Sequence, residues 1–85
     1  MSKIEIYTTY TCPYCRAAKA LLQRKGLEFS EFNVTGDPVA RSAMSSRANG
    51  RTSVPQIFID GRHVGGCDDL YALEEAGELD ALVAS

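Results

Sequence analysis

The chain has 85 residues, room for one domain with a thin core. Its apolar fraction of 45% is ordinary for a globular protein and argues against disorder. A formal net charge of −2 argues against a nucleic-acid binder, which is usually basic, and offers little attraction to an anionic membrane. No run of about 18 apolar residues is present that would span a bilayer. Glu5 interrupts the N-terminal stretch where a secretory leader would need roughly 7–15 apolar residues, so a cytoplasmic location is expected.

Residues 3–8 alternate, with Ile4 and Ile6 on one face, and predict a strand. After a short polar loop a helix is expected from Pro13, because proline suits the first helical position. Tyr14, Ala17, Ala18, Leu21 and Leu22 recur at helical spacing, and Gly26 is expected to end the helix. Residues 28–34 predict a second strand with Phe29, Phe32 and Val34 as its apolar members. Strand, helix and strand together read as a right-handed parallel crossover unit. Asp37 is expected to cap a second helix with Pro38 at its first position and Val39, Ala43 and Met44 facing the core. Asn49-Gly50 should stop it.

Residues 56–59 predict a short apolar strand, Asp60-Gly61 a two-residue turn, and residues 62–65 the returning strand. Gly65-Gly66 breaks the pattern. A third helix is expected from near Asp68 with Leu70, Tyr71 and Leu73, and a last short one after Gly77 with Leu79, Leu82 and Val83. The order β-α-β-α-β-β-α, with its helical extension, predicts one α/β domain over residues 1–85. Its sheet would be mixed, four-stranded and flanked by helices.

Cys12, Cys15 and Cys67 are the only cysteines, and in a cytoplasmic chain such a set points to redox chemistry or metal binding rather than structural disulfides. Cys12-Pro13-Tyr14-Cys15 lies between a predicted strand and a predicted helix, the setting of a thioredoxin-like redox motif. A helix N-terminus carries unpaired N–H groups and partial positive charge, which would stabilise a thiolate at Cys12. Only the thiolate attacks disulfides. Cys15, one turn on, would be close enough to pair with Cys12. The competing reading is a metal site completed by His63 and Cys67. Pro13 argues against it by preorganising a helix.

Two further segments carry candidate chemistry. In Ser53-Val54-Pro55, a cis bond before Pro55 would turn the Val54 N–H and C=O outward to pair with an extended peptide. An ordinary trans proline is the commoner alternative. In Gly65-Gly66-Cys67-Asp68, the glycines permit close backbone approach and the following helix N-terminus offers N–H groups to a carboxylate. Asp68 would meet an ammonium group. The alternative is a glycine turn with Asp68 as a plain N-cap.

Cys12-Pro13-Tyr14-Cys15, the run from Thr52 to Ile59 and the run from Gly65 to Leu70 together resemble a glutaredoxin of the short bacterial class. The resemblance covers nearly the whole chain, in order. It implies a thioredoxin fold, a cis peptide before Pro55, and reduction of protein disulfides and glutathione mixed disulfides. Cys12 would be the nucleophile and Cys15 its resolving partner. Glutathione would be a co-substrate, with no tightly bound cofactor and no metal. It would lie along Tyr14, Ser53, Val54, Pro55, Gly66, Cys67 and Asp68, with Cys67 non-catalytic. Implied partners are glutathionylated or disulfide-containing proteins and, indirectly, glutathione reductase; a monomer is expected. Many relatives carry a lysine three residues before the first cysteine, where this chain has Thr9. Arg51 is a candidate substitute. Some relatives instead carry a [2Fe–2S] cluster between two subunits through the first cysteine and glutathione. Pro13 disfavours that alternative, since such relatives generally have Gly or Ser there.

Overall fold

The computed structural model describes residues 2–84. Strand β1 (Ile4–Thr8) buries Ile4, Ile6 and Thr8 and leaves Glu5 and Tyr7 half-buried, as the period of two requires. It pairs parallel with β2 (Ser30–Asn33) and antiparallel with β3 (Gln56–Ile59), which in turn forms a hairpin with β4 (Arg62–Gly65). The sheet order is therefore β2-β1-β3-β4, mixed and four-stranded as the element order predicts.

Helix α1 (Pro13–Arg24) starts at an N-cap on Cys12 with Pro13 first inside it. It ends where Gly26, at φ 69, lets the Leu27 N–H reach the Leu22 carbonyl and its own N–H reach that of Gln23, each at 3.0 Å. Ala18, Leu21 and Leu22 bury against Ile4 and Ile6 of β1 and Ile57 and Ile59 of β3. Leu70 of α3 (Cys67–Glu75) and Leu79 of α4 (Glu78–Val83) complete this core. Helix α2 (Pro38–Arg47) lies over the opposite face, where Arg47 reaches Glu5 and Tyr7 and stacks over Phe58 at 4.1 Å. All four residues of β3 are consequently buried.

Three expectations need correction. Of the α2 residues expected in the core only Met44 is buried; Val39 is 80% exposed and Ala43 is exposed. The buried stripe of α2 is Met44 plus Ala48 one turn on, and Val39 stands about 140° round the helix from Met44 at 3.6 residues per turn. The second strand is shorter than expected and exposed along its length, since it is a sheet edge. Val34, just past its end, is buried, while Phe32 is 41% exposed and packs against Tyr7 with the rings tilted by 36°. Tyr14, read as part of the apolar stripe of α1, is 65% exposed. Among the described residues, no helix is long and apolar enough to cross a membrane.

Leu70 is fully buried between α3 and the sheet. Leu70→Ala is expected to lower unfolding free energy by about 2–5 kcal/mol, measured by urea denaturation with the slope of the transition unchanged.

Candidate active site

The site is built where β1 hands over to α1. Cys12 takes extended backbone angles, φ −119 and ψ 103, as an N-cap should, and its sulfur accepts the Cys15 N–H at 3.0 Å. The cap atom is thus the sulfur itself. On its other side the Cys12 thiol donates to the Val54 carbonyl at 3.6 Å. Cys12, Cys15 and Cys67 are all free thiols. Cys15 is only 1% exposed, and burial, reinforced by its bond with Cys12, pushes its thiol up to about 12. Burial also pushes the Cys67 thiol up, with the charge of Asp68 acting in the same sense.

The Val54–Pro55 peptide is cis, as the resemblance implies. The Val54 N–H has no hydrogen-bond partner among the described residues. Val54 lines a groove of about 200 Å³ that brings together every residue expected along glutathione: Tyr14, Ser53, Val54, Pro55, Gly66, Cys67 and Asp68, with Arg51 and Asp69 beside them. A larger groove, about 480 Å³, opens on the side of Cys15, between Thr9, Tyr10 and Lys19. The smaller groove ends at the first turn of α3, and the larger is lined beside Cys15 by Arg16, Lys19 and Glu31. Thr9 lines the larger groove and Arg51 the smaller.

At the far end of the smaller groove α3 starts at Cys67, next to the expected Asp68, but Asp68 is not its cap. The N-cap is Gly66, and Asp69, not Asp68, closes the first turn: its carboxylate accepts the Gly66 N–H at 2.9 Å and Arg51 Nη1 at 3.1 Å. The Gly66 N–H, with desolvation opposing and Arg51 assisting, holds the Asp69 carboxyl below the usual carboxylate range. Asp68 is left exposed at the groove. Gly65 has φ +124, and a Cβ there would collide with the Asp69 carboxylate, so glycine is required.

Sequence reasoning missed a second layer. Gln56, read as part of an apolar strand, is fully buried and donates through Nε2 to the Ser53 carbonyl at 2.9 Å. Its Oε1 lies 2.6 Å from His63 Nε2, and His63 Nδ1 lies 3.2 Å from Asn49 Nδ2. The available signal was a lone glutamine opening an otherwise apolar strand directly after Pro55. The Cys12, Cys15, His63 and Cys67 set is not assembled as a metal site. Among the described residues no group of three or more such side chains is placed to hold an ion, and both ring nitrogens of His63 are engaged.

Comparison with known proteins narrows the chemistry. The family model described as glutaredoxin matches residues 4–64. A probable glutaredoxin of Synechocystis sp. is 62% identical over 84 residues, 99% of this chain and 96% of the relative. Glutaredoxin 3 of Escherichia coli K12 is 57% identical over 83 residues, 98% of this chain and 99% of the relative. The solution structure of a Brucella melitensis glutaredoxin is 56% identical with a TM-score of 0.84, covering 95% of this chain and 87% of that one. Fold and cysteine pair therefore define a thiol–disulfide oxidoreductase with a thioredoxin-like fold. The chain belongs to the glutaredoxin family.

Two outcomes follow from this geometry. At pH 8 iodoacetamide is expected to label Cys15 at least about a hundredfold more slowly than an exposed cysteine, because only the thiolate reacts. Timed labelling with peptide mass mapping checks it, and equal labelling of Cys12 and Cys15 would count against it. Asp69→Ala is expected to cost about 1 kcal/mol at pH 7 by removing a charged hydrogen bond. A carboxyl whose pKa is lower in the folded state stabilises above its unfolded value of about 3.9 and stops doing so as pH falls through the folded value. The gap between wild type and variant should therefore shrink from pH 4 to pH 2 in urea unfolding.

Proposed function

We propose that the protein, as one domain over residues 1–85, is a glutathione-dependent oxidoreductase that reduces glutathione mixed disulfides and protein disulfides. The observation that carries this reading is the groove. It runs from Val54, whose carbonyl touches the Cys12 thiol, to the first turn of α3. A γ-glutamyl carboxylate would accept N–H groups at Cys67 and Asp68, where the helix end is positive. The ammonium beside it would meet the exposed Asp68 carboxylate. The unpaired Val54 N–H would take a carbonyl of the cysteine residue of glutathione.

The Cys12 thiolate attacks the glutathione sulfur of a mixed disulfide. A Cys12–glutathione disulfide forms, and the substrate leaves as a thiolate and gains a proton. A second glutathione thiolate then attacks the bound glutathione sulfur, giving glutathione disulfide and restoring the Cys12 thiolate. In net terms one glutathione thiol is consumed, and the substrate–glutathione disulfide is exchanged for glutathione disulfide and a free substrate thiol. For protein disulfides, Cys12 forms a mixed disulfide with the substrate and Cys15 displaces it. Glutathione reduces the resulting Cys12–Cys15 bond. The protein acts as a cytoplasmic monomer with no tightly bound cofactor, and glutathione reductase renews its glutathione.

The test is NADPH consumption with glutathione, glutathione reductase and a glutathionylated peptide. Wild type and Cys15→Ser are expected to be active, and Cys12→Ser to lose more than about a hundredfold. Activity surviving in Cys12→Ser, or lost in folded Cys15→Ser, would overturn the assignment.

A further inference from the structure

We infer that His63 is a positioning residue for substrate binding: acting through Gln56, it holds the Ser53–Val54 peptide so that the Val54 N–H is presented to the groove. The inference deepens the proposed glutathione reading and rests on it. Neither His63 nor Gln56 lines that groove.

Hydrogen-bond bookkeeping fixes every orientation in the chain of contacts. The Ser53 carbonyl can only accept, so Gln56 must present its NH₂ there, as it does at 2.9 Å. The Gln56 oxygen then faces His63, which must carry its proton on Nε2 to donate across 2.6 Å. Nδ1 is left as an acceptor, and the Asn49 amide donates to it at 3.2 Å. Gln56 is fully buried and has no water to fall back on.

The neutral ring is favoured from several sides. Burial, helped by the charge of Arg51, holds the His63 pKa below its ordinary value, with Asp69 acting weakly the other way. The ring sits 5.2 Å from that of Phe58, and the Arg47 guanidinium lies over Phe58 as well. The register of β3 and β4 makes this possible. His63 stands opposite Phe58, two residues from Gln56 on the same face of the strand.

The consequence reaches the site through one rigid unit. The Ser53–Val54 peptide is trans, since the cis bond is the next one. In a planar trans peptide the C=O and N–H point in opposite directions. Gripping the Ser53 oxygen from the protein interior therefore aims the Val54 N–H outward. Without that grip the peptide plane can rotate and the donor is lost to the ligand. Since the bound glutathione unit meets this donor before and during sulfur exchange, the effect belongs to binding and not to the chemical step.

The test uses the full chain with an S-glutathionylated peptide. His63→Phe keeps a ring against Phe58 but removes the donor; Gln56→Met keeps length but removes the grip. Each is expected to raise the KM for the glutathionylated peptide about five- to tenfold with kcat within about twofold. The double variant should cost no more than either single one, because His63 acts through Gln56. Alkylation of Cys12 by iodoacetamide, which needs no groove, should keep its wild-type rate. An unchanged KM, additive effects, or kcat and alkylation falling together with KM would overturn the role. Wild type showing no preference for the glutathionylated over a cysteinylated peptide would instead bring down the glutathione reading, and this inference with it.

Discussion

The hydrogen bond from the Cys15 N–H to the Cys12 sulfur decides where α1 begins, and much of the rest is arranged around keeping that sulfur in place. An N-cap must be extended while the next residue is already helical. Pro13 makes that switch cheap by fixing its own φ. Below the cap, Cys15, Ala18, Leu21 and Leu22 anchor the helix on the sheet. The loop is tied from the other side by Thr8, whose carbonyl receives the Val34 N–H and whose hydroxyl donates to Glu31. Lys19 of α1 pairs with the same Glu31, so helix, central strand and edge strand meet on one carboxylate. Those two contacts, Thr8 first, hold the Glu31 carboxyl low.

The groove, by contrast, is assembled from parts distant in sequence. Tyr14 comes from α1, Val54 and Pro55 from the loop entering β3, and Gly66 to Asp68 from the start of α3. Arg51 and Asp69 join the last two across a 3.1 Å ion pair, half exposed on each side. Such a pair contributes little stability by itself. Its value is geometric, because Asp69 at the same time holds the Gly66 N–H and so sets the direction in which α3 leaves the groove.

Most of the fold was legible because its signals are local. Pro13, Asp37-Pro38, Gly26 and Asp60-Gly61 each mark an element boundary by a backbone requirement that no tertiary context alters. The cysteine spacing and the glycine pair likewise announce themselves. Errors arose where burial depends on what lies opposite. Val39 is apolar, yet α2 covers its sheet face with a stripe only two residues long. Asp68 was the alternative N-cap in sequence, whereas the cap is Gly66 and the Asp69 carboxylate takes its N–H beside the turn at Gly65. Gln56 and His63 are seven residues apart on two strands, and their contact depends on a register shift between Ile57 and Phe58 that spacing does not reveal.

The seclusion of Cys15 has a consequence for how the protein treats different partners. Burial, the largest cause of its raised pKa, persists when Cys12 carries an adduct, so the inner thiol is slow to attack. Under the proposed chemistry, the choice between the two routes is then a contest of lifetimes. A glutathione adduct on Cys12, open to free glutathione, is cleared before Cys15 takes part. A bulky protein adduct that shields Cys12 from small thiols lingers until the inner sulfur acts. One site can thus serve both kinds of substrate by timing, with no separate recognition element to tell them apart.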